Sequence, residues 1–220
     1  MDNHNKQKQF ITAASHELKT PLTVISTNAQ LLESEIGRSD WLDSIQKQIT
    51  HLTQMTHDLV VLSKAEEYDN PLLWENFSFS DALRDVMETY QVIAKQNGIR
   101  MEHTFADDIM YAGSKAEVQQ LFQILLDNAC KYCPRDGFIR VNAKQSFHRV
   151  KFCVENTTEP LSGETAQELI QRFHRGENAN GKTGFGLGLS IAEAIANRHN
   201  GHLTASAATE GEFRVEVVLH

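Results

Sequence analysis

Residues 15–22 read Ser15-His16-Glu17-Leu18-Lys19-Thr20-Pro21-Leu22, SHELKTPL, and decide how the first part of the chain folds. Leu18 and Leu22 open a row continued by Ile25, Ala29, Leu32 and Ile36. The steps alternate between four and three, the spacing of a coiled-coil seam, and predict a helix over 5–36. Pro21 lies inside that helix. It removes the amide that would bond the carbonyl of Glu17, at a cost of about 3 kcal/mol. His16 lies off the seam, and Thr20, four residues on, shares its face, so His16, Glu17 and Thr20 are expected to point to solvent. A proline accepted beside such a face marks the face as one that is used. Pro21 is expected to loosen the turn beneath it, either as a bend that serves a switch or as a kink that a long bundle tolerates.

Gly37-Arg38-Ser39 ends the first helix, and Asp40 is expected to cap a second. There Leu42, Ile45, Ile49, Leu52, Thr56 and Leu59 repeat the alternation to about residue 66. Two such helices joined by a short turn make an antiparallel hairpin. A stripe this long cannot be buried by one hairpin. Two hairpins in a four-helix bundle would bury it, so residues 1–67 are expected to form a homodimer.

Length and charge narrow the possible functions. A chain of 220 residues suits two small domains, and a net charge of −8 argues against nucleic acid as a partner. No apolar run approaches the roughly 20 residues of a membrane span, and MDNHNKQKQF is no signal peptide. The chain is therefore expected to be soluble, with any membrane attachment made through segments it lacks. Cys130, Cys133 and Cys153 give an odd count and no disulfide framework, which suits a reducing compartment. The CxxC at 130–133 has no second pair to complete a zinc site, and reads as two thiols near a helix end.

Residues 68–78, YDNPLLWENFS, read as a linker. After it the pattern is that of an α/β layer over 79–220, with helices on one face of a mixed sheet. A helix over 81–96 stops at Asn97-Gly98, a strand comes next at 99–105 and a short one lies near Met110. Ser114 and Glu117 form a capping-box pattern opening a helix to about Tyr132. Residues 138–146 and 150–155 alternate as a hairpin. Polar residues fill 157–183, a helix runs over about 187–199, and two strands finish the chain.

Three features in this second part could carry chemistry. GFGLGL, from Gly184, sets Gly184, Gly186 and Gly188 (with Leu187 between the last two) at a helix start, where backbone amides can meet phosphate. It is neither a Walker loop nor a dinucleotide motif. LLDNACKY supplies Asn128, a neutral oxygen of the kind Mg²⁺ accepts when phosphates complete its shell, and Lys131 one turn later. RFHR supplies Arg172 and Arg175, whose forked donors suit phosphate oxygens. Each has a plainer alternative as a loop-to-helix junction or a solvated face.

Together these stretches resemble the sensor histidine kinases of two-component systems. SHELKTPL resembles their phosphoacceptor box, LLDNACKY their N box, LIQRFHRGE their F box and GFGLGL their second glycine box, in the family's order across nearly the whole chain. The resemblance implies a dimerisation and phosphotransfer hairpin over 1–67, then an ATP-binding α/β sandwich of the GHKL type over 79–220. It implies that His16 is phosphorylated from ATP, with Glu17 as its acid or base partner. Thr20 would serve dephosphorylation of a response regulator, whose receiver aspartate takes the phosphoryl group. It further implies that Asn128 holds Mg²⁺, that Lys131 and Tyr132 line the nucleotide pocket, and that Arg172 and Arg175 meet the phosphates. Gly184, Gly186, Leu187 and Gly188 would form the closing lid. The chain would be the cytoplasmic portion of a membrane-anchored bacterial receptor.

The residues are chemically apt. A histidine nucleophile must be neutral, and with a reference pKa near 6.5 it mostly is at neutral pH. SHELKT is not the zinc-protease HExxH, because Thr20 stands where its second histidine would be.

Two departures from the family stand out. VENTTEP puts Asn156 at the acidic position of the first glycine box, with Thr158 and Pro160 at its glycines. A neutral amide predicts weaker adenine selectivity, and Pro160 a stiffer lid entry. Ile124 replaces the other asparagine of the N box. The competing readings are therefore a catalytically weak pseudokinase or phosphatase-only docking module, and a chaperone- or topoisomerase-like ATPase, which would leave SHELKTPL unexplained.

Overall fold

The computed structural model describes the backbone of residues 2–65, 74–159, 168–171, 186–208 and 211–220, and the side chains of 18–63, 74–159, 168–171, 186–207 and 211–220. The chain divides into two compact units, Met1–Glu67 and Tyr68–His220.

The first unit is an antiparallel hairpin of α1 (Asp2–Ile36) and α2 (Asp40–Ala65). α1 runs unbroken through Pro21. Gly37 turns the chain with φ +81, a conformation that suits glycine. The cap of α2 is Ser39 rather than the expected Asp40: its Oγ accepts from Leu42 N at 3.3 Å and its carbonyl from Asp43 N at 3.0 Å. Asp40 becomes the first helical residue instead, where an acid favours the positive helix end.

The seam divides in two. Leu22, Ala29, Leu42, Ile49 and Thr56, spaced by sevens along each helix, are buried between α1 and α2. Leu18, Ile25, Leu32, Ile36, Ile45 and Leu52 belong to the same predicted rows and stay exposed on the hairpin. Gln46 Nε2 donates to Glu33 Oε2 at 2.8 Å and ties the helices together near the turn.

The second unit begins with a strand inside the stretch read as a linker. β1 (Glu75–Ser78) pairs antiparallel with β3 (Met110–Gly113) in a two-stranded ribbon. Its only buried side chain is Phe77, set edge-on to Tyr111, which is too little alternation to see in sequence. Ser78 caps α3 (Phe79–Gln96) through Asp81 N, so the helix starts two residues before its expected position. β2 (Arg100–Thr104), β4 (Phe138–Ser146), β5 (Arg149–Thr157), β6 (His202–Ala208) and β7 (Glu212–Leu219) form one sheet in the order β2-β4-β5-β7-β6. Of its pairings, β2 with β4 is parallel and the others are antiparallel.

α3, α4 (Lys115–Tyr132) and α5 (Gly188–Arg198) cover one face of this sheet. That face carries Ile139, Val141, Phe152, Val154, Val215 and Val217, all buried. The core centres on Phe122 of α4, whose ring lies 4.9 Å from those of Phe79 and Phe152. The other face is a charge ladder in which Arg140 meets Glu155 at 3.3 Å and Lys151 meets Glu216 at 2.7 Å.

The capping box at α4 forms by half. Ser114 Oγ accepts from Glu117 N, but Ser114 N donates to His199 Nε2 at 3.2 Å instead of to the Glu117 carboxylate. Glu117 turns to Arg198, 3.4 Å away, whose side chain is almost wholly buried and needs an anion. Because Nε2 accepts, the proton of His199 sits on Nδ1 and donates to Ile195 O at 2.9 Å. Trp74 and Tyr111 cover the ring at 5.8 and 6.0 Å.

Burial first, and Arg198 after it, hold His199 below the ordinary histidine range, with the bond to Ile195 opposing them. The unfolded chain therefore binds a proton at His199 that the folded chain refuses, so stability falls as pH drops through the unfolded value of 6.5. Glu117, raised by burial against the pull of Arg198, has the opposite sign: protonation favours the folded state above its ordinary 4.5. Denaturant unfolding is expected to show a lower midpoint at pH 5.5 than at 7.5, with the slope reduced in His199→Asn. An unaltered slope in that variant would remove His199 as its source.

Candidate functional site

Those of the expected site residues that the structure describes fall on three elements of the second unit and on α1. On α4, Val118, Leu121, Phe122, Leu125 and Leu126 face the core, which leaves Asn128 and Lys131 half-buried at its rim. Lys131 Nζ stands 5.3 Å from the ring centre of Tyr132, so a cation and an aromatic face are held together at the helix end. Ile124, one turn before Asn128, faces α5: a β-carbon at Gly188 would meet its Cγ2 at 3.4 Å. The N-box helix and the end of the glycine loop are thus adjacent.

That end of the loop is built for close approach. Gly186 has φ +70, in the left-handed region. Leu187 is buried to 1% exposure and anchors the turn, its carbonyl accepting from Ser190 Oγ at 2.8 Å and Ile191 N at 2.9 Å. Among the described residues no side chain caps α5, which leaves its first amides open to an anion.

Asn156 lies near the end of β5, on its covered face opposite Ile139 and Phe213. It is 4% exposed, and its Nδ2 donates to Thr157 O at 2.8 Å. With the amide nitrogen so anchored, Oδ1 is presented as an acceptor. Thr157 Oγ1 accepts from Phe138 N at 3.1 Å, and Thr158 N donates to Gly211 O at 2.8 Å. These bonds fix the β5 end. Sequence reading named Asn156 and Thr158 but missed Thr157, for which a hydroxyl next to a strand end is the only signal.

On α1, Thr20 is exposed, as expected of the His16 face. The side chains of His16 and Glu17 lie outside the described residues, as do Arg172, Arg175, Gly184 and Pro160. Cys130 and Cys133 are buried, and burial, then Asp127 and Cys133, push the Cys130 thiol up to about 12. Among the described residues no group of three His, Cys, Asp or Glu could hold a metal. A divalent ion here would therefore rest on the Asn128 amide oxygen together with phosphates and water, a set that suits Mg²⁺.

Two family models match the chain: the His Kinase A (phospho-acceptor) domain over 6–68, and the histidine kinase-, DNA gyrase B- and HSP90-like ATPase over 113–220. The sensor protein DltS of Streptococcus agalactiae is 31% identical over 97% of this chain and 54% of its own length. The sensor histidine kinase YkoH of Bacillus subtilis is 32% identical over 94% of this chain and 46% of its own. The chain spans about half the length of the curated relatives it matches. Among solved structures, full-length ShkA in complex with AMPPNP superposes with TM-score 0.79 at 18% identity, over 96% of this chain and 45% of that one. The histidine kinase AdeS of Acinetobacter baumannii gives 0.68 at 20%, over 93% and 96%.

Proposed function

Because the chain belongs to the sensor histidine kinases, with a phospho-acceptor domain followed by an ATPase domain, we propose that it phosphorylates His16 from ATP and passes the group to an aspartate of a response-regulator receiver domain. The observation that carries this reading is SHELKTPL on a continuous helix that presents Thr20 to solvent, in the same chain as a second unit whose α4, bearing Asn128, packs beside the Gly188 end of the glycine loop.

In this reading a neutral His16 nitrogen attacks the γ-phosphorus in line as the bond to the ADP oxygen breaks. Glu17 takes the proton from the other nitrogen and fixes the tautomer that attacks. Asn128 would hold Mg²⁺, which supplies neutralisation of phosphate charge. Lys131 and Tyr132 line the pocket, Asn156 accepts from the adenine amino group, and the amides at Gly188 and Leu189 meet phosphate. Arg172, Arg175 and Gly184 are assigned to the same lid. Thr20, on the His16 face, would orient a water that removes the phosphoryl group from the regulator.

The hairpin over 1–67 is assigned to dimerisation, since a second copy packed against it would cover the exposed row of Leu18, Ile25, Leu32, Ile45 and Leu52. The remaining short connection would lead into the catalytic unit. In this reading the chain works in the cytoplasm, where ATP is found, as part of a membrane-anchored receptor. The weak-kinase reading is favoured by one observation, the apolar Ile124 against Gly188 where the N box has a second amide.

Incubation with Mg²⁺ and γ-labelled ATP is expected to give acid-labile, base-stable label that disappears in His16→Gln. Because Asn156 presents its oxygen, label from ATP should exceed label from GTP. Comparable label from the two would mean that the amide is turned over. Nucleotide binding without label would move the assignment to a regulator phosphatase or docking module.

A further inference from the structure

The β4–β5 hairpin joins Ser146 to Arg149 through Phe147 and His148 alone. A two-residue turn of this kind ordinarily uses glycine or asparagine where φ is positive. Phe147 has φ +54 and its side chain is 94% exposed. A bulky residue is uncommon in the left-handed region, and among the described residues no packing offsets the strain at this one.

The residues around it are equally unusual. Lys144 stands directly opposite Lys151 across the ladder, a like-charge pairing that weakens a sheet. Arg149 and His148 are exposed beside them, and His202 lies in the same cross-strand row beyond Val218. Glu216 holds Lys151 at 2.7 Å, but among the described residues Lys144 and Arg149 have no acidic partner. Asp107 and Asp108 lie on the connection after β2, the strand that pairs with β4. Asp107 is engaged by Arg84 at 2.6 Å. A chain of net charge −8 thus gathers cations around one isolated phenyl ring.

We propose that this hairpin tip docks on an anionic lipid bilayer, with Phe147 entering the boundary between headgroups and acyl chains. Lys144, Arg149 and Lys151 would lie against lipid phosphates. A lipid surface fits better than a protein partner. Protein hot spots sit within packed apolar patches that exclude water, whereas Phe147 stands alone. One aromatic wedge ringed by cations matches what an interfacial anchor needs. Docking in this way would hold the catalytic unit against the membrane face and limit its freedom to reach a partner.

The test is co-sedimentation of the full chain with vesicles of phosphatidylcholine alone or with one-third phosphatidylglycerol. Binding is expected to the anionic vesicles only, and to be lost at high salt. Lys144→Glu and Arg149→Glu should each lower the partition constant at least about fivefold, since each basic residue near such a surface contributes about that factor. Phe147→Gly should lower it about tenfold through lost apolar burial. Because glycine relieves the positive φ, the same variant should melt no earlier than the parent, so its loss of binding cannot be put down to misfolding. Equal binding to both vesicle types overturns the proposal, as does anionic binding that survives Phe147→Gly and both charge reversals.

Discussion

Phe122→Ala is expected to destabilise the second unit by about 3–5 kcal/mol, the usual cost of removing a fully buried aromatic ring. Phe122 is 0% exposed and touches both layers, meeting Phe79 at the start of α3 and Phe152 in the middle of β5. Its removal leaves a cavity bounded by secondary structure on each side, which cannot collapse cheaply. For a unit of this size each kcal/mol moves the melting temperature by about 2–4 °C, so the transition should fall by roughly 10 °C. Calorimetry or thermal circular dichroism would show it. A shift of only a degree or two would mean that the ring is not the keystone its contacts indicate.

Asn128→Ala is expected to lower the rate of label transfer from ATP by about 100-fold or more, since metal neutralisation of phosphate is worth several kcal/mol. The side chain is at the rim of α4 and not in its core, so the fold should be kept. The signature is a changed Mg²⁺ dependence: the variant should need more Mg²⁺ for half-maximal rate, while nucleotide binding without metal changes little. An unchanged rate and Mg²⁺ curve would take the metal away from Asn128.

Much of the fold was legible in the residues themselves. The alternation of fours and threes fixed both helices of the hairpin because a seam repeats over many turns. What it could not show was that Leu22, Ala29, Leu42 and Ile49 go inward while Ile25, Leu32 and Ile45 stay exposed. Both sets have the same period, and only the placement of the second helix separates them. β1 escaped because one buried residue, Phe77, makes no pattern. At α4 the cap was readable from Ser114. The exchange of Glu117 for His199 was not, because it depends on a residue 85 positions away. Asn128, Asn156 and Gly188 could be named as candidates from sequence alone, but the approach of Gly188 to Ile124 belongs to tertiary packing.

The parallel pair in the sheet has a consequence for how the protein comes to be folded. β2 and β4 can meet only after the chain between them, β3 and all of α4, has been laid across the sheet. A parallel crossover must close a long loop before its ladder returns any free energy, so it forms slowly compared with the β4–β5 hairpin. The helix that bears Asn128 is that loop. Refolding should therefore be limited by the docking of α4, and a newly made chain would complete this helix and its outer strand in one cooperative step.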